Sequence, residues 1–195
     1  MRPLARAPLK GVGLLLAPGA SADRTQSALV KIDEAVSALG ATVSRMDFPY
    51  RLAGRRAPDR EPVLLAAVDA AARAVKVKPG RLALGGRSMG GRICSMAVAD
   101  GLPALALVLV SYPLHPPGRP DRLRTAHLPR VTVPCLFISG ARDQFGSPAE
   151  LEAASALVGA PVTHVWIEGK RHDLRGCDAR VADEVATWLE GLVRS

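Results

Sequence analysis

The sequence predicts an α/β protein built on a mainly parallel six-stranded sheet with helices on both faces. Three observations carry this. Short apolar runs alternate with stretches whose apolar residues recur at helical spacing. The runs are apolar nearly throughout, as strands covered on both faces are. And 48% of the 195 residues are hydrophobic, enough to fill such a core within one domain spanning 1–195.

The elements follow in order. "VGLLLA" (12–17) reads as a buried strand. Leu29, Ile32, Val36 and Leu39 then mark one face of a helix, which Gly40 is placed to stop. "TVSRMDF" (42–48) is the second strand, and Leu64, Val68, Ala71 and Val75 mark the next helix, closed by a Pro79-Gly80 turn. "RLALGG" (81–86) is the third strand and feeds a helix carrying Ile93 and Met96. "ALALVLVS" (104–111) and "PCLFISG" (134–140) are the fourth and fifth strands. Between them runs a segment with five prolines, 112–130, too long for an ordinary connection and hence of functional interest. "SPAE" (147–150) opens a helix: Ser147 caps, Pro148 suits the first turn and Glu150 reaches back to the cap. "VTHVWIEG" (162–169) is the sixth strand, and Val181, Val185, Trp188 and Leu192 mark the last helix.

Charge and cysteine usage narrow the function classes. The chain carries a net charge of +8, much of it in arginines at 51–60 and 119–130. A nucleic-acid partner would use such charge, but aromatics are only 4% and no binding motif accompanies it, so a solvated loop surface is expected. The longest apolar runs, Val12 to Ala17 and Leu102 to Val110, fall far short of the ~18 residues of a membrane span. Arg2, Arg6 and Lys10 before an apolar run raise the question of a signal peptide. Gly13 and Pro18 interrupt that run, and cleavage would remove a core strand. Cys94, Cys135 and Cys177 lack metal or redox spacing, so reduced thiols in a cytoplasmic protein are expected.

Ligands of parallel sheets bind at the carboxyl ends of the strands. There the third strand gives "ALGGRSMGGR" (83–92). A phosphate-binding loop would need Lys and Ser/Thr where Gly91 and Arg92 stand, and the dinucleotide pattern lacks its second glycine. The stretch Gly86-Arg87-Ser88-Met89-Gly90 instead spells G-x-S-x-G between a strand and a helix. That turn exposes a serine hydroxyl and aims the next residue's N–H at a developing oxyanion. The chain order Ser, acid, His is then required. Asp143 lies three residues past Gly140 at the end of the fifth strand, and His172 three past Gly169 at the end of the sixth. His164 lies within a strand, and His115 and His127 precede the acid. Asp173 is too close in sequence to orient His172 and reads as a turn residue. The loop after the first strand, "APGASADR", offers the N–H of Ala20 as second oxyanion donor, against the plainer reading of a capped turn.

"GGRSMGGR", "SYPLHPPGRPDRLRTAHLP", "LFISGARD" and "EGKRHDL" together resemble the KANL3/Tex30 group of α/β-hydrolase-like proteins, which is similar to the dienelactone hydrolases. The resemblance runs from the first strand to the last helix. It implies a minimal α/β-hydrolase fold starting near what is usually the third strand of the sheet. It carries Ser88, Asp143 and His172 onto a catalytic triad, and Met89 and Ala20 onto an oxyanion hole. The first oxyanion motif usually reads His-Gly, where this chain has Pro18-Gly19.

The function expected is a serine hydrolase acting on a small ester, lactone or thioester, with no metal or organic cofactor. The alternative is a scaffold or binding protein that keeps the fold, since the group includes scaffold subunits. The segment 112–130 stands where hydrolases insert a lid, and its shortness suggests an open, shallow site. Arg87, Arg119, Arg122 and Arg124 are candidates for an anionic acyl group, against the plainer reading of solvated or loop-anchoring arginines. His115 is a further candidate substrate contact. A small-molecule acyl substrate is the expected partner, without nucleic acid or membrane.

Overall fold

The computed structural model describes residues 8–194; Arg2 and Arg6 lie outside them. Six strands form one sheet: β1 (Gly13–Ala17), β2 (Thr42–Arg45), β3 (Leu82–Arg87), β4 (Leu107–Val110), β5 (Cys135–Gly140) and β6 (Val162–Ile167). Their order is β2-β1-β3-β4-β5-β6. Every pairing is parallel, so all the carboxyl ends share one edge.

Among the described residues six α-helices accompany it: α1 (Ser27–Ala38), α2 (Pro49–Leu52), α3 (Glu61–Ala74), α4 (Met89–Ala99), α5 (Pro148–Ser155) and α6 (Asp178–Arg194). Alternation along each strand divides the core in two. Leu15, Ala17, Leu84, Leu109 and Phe137 pack toward α3, α4 and α5. Leu14, Leu16, Val108, Val110 and Ile138 pack toward α1 and α6. The result is a parallel sheet with both faces covered, the α/β architecture the sequence predicts. No helix among the described residues is long and apolar enough to cross a membrane.

The second strand ends earlier than its composition suggests. It stops at Arg45; Met46 still donates its N–H to the Leu16 carbonyl at 3.0 Å, but Pro49 then starts the short helix α2. The fourth strand is also shorter, ending where Ser111 takes φ 50°. The Ser147/Glu150 capping box forms as the sequence indicates, with Glu150 Oε2 accepting the Ser147 N–H at 2.8 Å.

The 112–130 segment is partly core. Tyr112, Leu114, His115, His127 and Leu128 are buried. A 3₁₀ turn spans Leu128–Arg130. His127 Nε2 lies 2.8 Å from the buried Ser95 Oγ, which ties the segment to α4. The Tyr112 hydroxyl donates to the Arg124 carbonyl at 3.0 Å, and the Arg124 N–H donates to Leu114 at 2.7 Å.

Candidate active site

Ser88 stands between the last residue of β3 and the first of α4, with φ 50° and ψ −117°. A non-glycine residue there is strained by ~1–3 kcal/mol, and the strain lifts the side chain clear of the sheet. Close packing holds the turn in place. A Cβ on Gly86 would lie 2.1 Å from the Ala17 carbonyl oxygen, and one on Gly90 would lie 2.2 Å from the same atom. The two glycines are therefore demanded by the end of β1, which runs parallel beside β3 with Ala17 in register with Gly86, rather than by the serine itself.

The other two residues arrive through the same edge. The loop after β5 lies directly against the loop after β6: the Arg142 N–H donates to the Lys170 carbonyl at 2.8 Å, and a Cβ on Gly140 would meet that oxygen at 2.3 Å. Asp143 and His172 are thereby joined. His172 Nδ1 lies 2.8 Å and 3.1 Å from the two Asp143 carboxylate oxygens, and His172 Nε2 lies 2.9 Å from Ser88 Oγ. The carboxylate also accepts the Phe145 N–H at 2.9 Å and is buried. A carboxylate only accepts, so Nδ1 carries the proton and Nε2 faces the serine as an acceptor. The Phe145 ring meets the imidazole edge to face at 4.6 Å, which limits its swing.

Met89 and Ala20 both line the cavity around Ser88. Neither N–H is engaged by a hydrogen bond among the described residues, and the Met89 N–H belongs to the open first turn of α4. Two residues without a sequence signal hold the Ala20 loop. Gln26 precedes α1 but does not cap it; its Oε1 accepts the Gly19 N–H at 3.1 Å. The Tyr50 hydroxyl, from the unforeseen helix α2, accepts the Ser21 N–H at 3.1 Å.

Arg87 lines the cavity and is buried, and its Nη2 donates to the His172 backbone carbonyl at 2.7 Å. Burial pulls its pKa below the ordinary arginine value, while Asp178, Asp173 and Asp143 pull the other way. The residue thus ties the histidine loop to the serine strand: it anchors a loop, though not the proline-rich one, and it also faces the cavity. Arg119 pairs with Asp121 on the surface, and neither Arg119 nor Arg122 lines the cavity, whereas Arg124 does. His115 forms part of the wall, with Nδ1 donating to the Pro116 carbonyl at 3.0 Å.

Arg92, missed in the sequence, also lines the cavity. Its position four residues after Ser88 on one helix was the available signal. The cavity has a volume of about 720 Å³, in the range of ligand pockets, and is open to solvent on one side. Among the described residues no group of three or more His, Cys, Asp or Glu is arranged to hold a metal ion. His164 sits in β6, where it bonds Ser155 Oγ at 2.8 Å and stacks on Phe137 and Trp166. Asp173 accepts the Arg175 N–H in a turn. Burial pushes the Cys94 thiol up to about 12, leaving it an inert packing group under the turn.

Solved structures share this architecture. Est1E from Butyrivibrio proteoclasticus is 18% identical with a TM-score of 0.76, over 96% of this chain and 90% of that one. An alpha-beta serine hydrolase homologue from Coxiella burnetii is also 18% identical with a TM-score of 0.76, over 92% and 86%. Dienelactone hydrolase from Anabaena variabilis is 20% identical with a TM-score of 0.70, over 95% and 86%. At these identities the likeness establishes the fold. The sequence itself matches the model of the alpha/beta hydrolase domain over residues 10–189. The chain belongs to the alpha/beta hydrolase domain family.

Proposed function

We propose that the protein is a serine hydrolase that cleaves a small ester, lactone or thioester. The observation that carries this is the unbroken chain from Asp143 through His172 to Ser88, with contacts of 2.8 Å and 2.9 Å. In this reading Ser88 Oγ attacks the carbonyl carbon while His172 Nε2 takes its proton. The same proton then passes to the leaving group, and Asp143 stabilises the imidazolium meanwhile. The Met89 and Ala20 N–H groups receive the oxyanion, each worth ~2.7–4 kcal/mol when well aimed. Water, activated by His172, releases the acid and restores Ser88.

Within the family, the proline-rich segment supports a likeness to the KANL3/Tex30 group. The buried, unpaired Cys94 and Cys135 support a reducing compartment such as the cytoplasm.

An activated fluorophosphonate is expected to label Ser88, and Ser88→Ala to lose both labelling and turnover of p-nitrophenyl acetate by several powers of ten. A folded parent protein that neither labels nor turns over would refute the reading in favour of a scaffold or binding role. Equal activity in the alanine variant would refute the assignment of the nucleophile.

A further inference from the structure

The cavity lining carries both signs of charge, Asp59, Glu61 and Asp173 beside Arg87, Arg92 and Arg124. Arg92 comes from α4 and Arg124 from the 112–130 segment. Arg92 Nη1 has two contacts, Glu61 at 3.2 Å and Met96 Sδ at 3.0 Å. Glu61 is about half exposed, so that pair is a weak surface one. Arg124 has no carboxylate within ion-pair distance among the described residues. Its guanidinium makes one long hydrogen bond there, from Nη1 to the Pro113 carbonyl at 3.5 Å. Its backbone, by contrast, is fastened on both sides by Leu114 and Tyr112. A backbone hydrogen-bonded on both sides therefore presents a guanidinium with most of its five donors uncommitted. Burial lowers the basicity of Arg124 and the neighbouring Arg92 lowers it further, while Tyr112 and Glu61 act the other way. Glu61, which also lines the cavity, answers the charge of Arg92, and it acts on Arg124 only from beyond ion-pair distance, so Arg124 is the guanidinium there without a carboxylate in contact.

We propose that Arg92 and Arg124 form a subsite for a carboxylate on the acyl part of the substrate, so that the substrate class is a monoester or thioester of a dicarboxylic acid. The inference rests on the serine-hydrolase reading of the same site. The acyl side follows from the layout. His172 approaches Ser88 from a loop whose Leu174 packs with α6 on one face of the sheet. Arg92 and Glu61 belong to α4 and α3, which cover the other face. The leaving group must lie toward His172, which protonates it, leaving the acyl chain toward the arginines. Arg92 stands four residues beyond Ser88 on a helix, a rise of ~6 Å that a chain of a few methylenes spans. Arginine pairs bidentately with carboxylates, which suits this end group.

The test compares mono-p-nitrophenyl adipate with p-nitrophenyl hexanoate, which share a leaving group and chain length and differ in the terminal carboxylate. The parent protein is expected to prefer the adipate ester in kcat/KM by about tenfold or more, with added salt narrowing the gap. In Arg124→Met the ratio of the two kcat/KM values is expected to collapse toward one, and Arg124→Lys to keep part of it. A parent that hydrolyses both esters equally, or prefers hexanoate, overturns the subsite while leaving the serine-hydrolase reading intact. So does a ratio that survives Arg124→Met. A parent whose Ser88 is unlabelled and which hydrolyses neither ester overturns the mechanism and the subsite together.

Discussion

One substitution, glycine to alanine, is expected to act with opposite sign at two helical positions, which isolates packing from helix preference. In a helix interior alanine is favoured over glycine by up to ~1 kcal/mol. At Gly191, in α6, nothing lies within 4 Å of the added Cβ. The position is near the end of the helix, so Gly191→Ala should stabilise by about 0.5 kcal/mol. At Gly90, in α4, the same Cβ would lie 2.2 Å from the Ala17 carbonyl oxygen and 2.5 Å from both the Ala17 carbon and the Pro18 oxygen. All three are backbone atoms of β1 and its loop, so no side chain can rotate away. The first turn of α4 must retreat by close to ~1 Å, and overpacking of this kind costs ~1–3 kcal/mol. The net loss is expected near the top of that range. The displaced turn carries Ser88 and the Met89 N–H, and a misplacement of this size costs about 10²-fold in rate. Urea unfolding midpoints with p-nitrophenyl acetate kinetics measure both effects. A Gly90→Ala protein as stable and active as its parent would refute the close approach of α4 to β1. A Gly191→Ala protein destabilised by more than about 1 kcal/mol would refute the packing argument at α6.

Two other variants probe the site's supports. Arg87→Met should lower kcat by about 10–100-fold with little change in KM, because it frees the His172 loop without removing a substrate contact; Arg87→Lys should recover part of the loss. A KM effect alone would return Arg87 to substrate binding. Burial, with Arg92 and Arg130 nearby, holds His127 down at about 4 against an ordinary imidazole value of 6.5. The unfolded chain then binds the extra proton first as pH falls, so stability should drop between about 6.5 and 4 and level off below. His127→Gln should flatten that part of a urea-midpoint profile, and an unchanged slope would show that other groups set it.

The layered fold was legible because buried parallel strands and amphipathic helices write their periods locally. Leu14 and Leu15 must face opposite layers whatever their neighbours are, and they do. The order of Ser88, Asp143 and His172 after three strands was legible for the same reason: a parallel sheet brings all its carboxyl ends to one edge. Local rules gave out where the chain leaves that edge. "TVSRMDF" continues to look like a strand through Phe48, yet the helix begun at Pro49 supplies Tyr50 to the Ser21 loop. The proline-rich segment reads as an irregular loop in the lid position, yet Tyr112, Leu114 and His127 fill the core, because α4 leaves apolar surface and the Ser95 hydroxyl to be covered there.

The sequence by itself determined the layers, the strand edge that carries the site and the three residues that meet there. Each depends on the pattern of side chains along the chain or on backbone geometry within a single turn. Only the tertiary structure decided what the stretch between Gly85 and Arg92 does with its charges. Arg87 reaches 85 residues along the chain to hold the His172 carbonyl, and Arg92 and Arg124 line one cavity from different segments. A guanidinium's partner depends on which distant atoms the fold brings within a few ångströms of it.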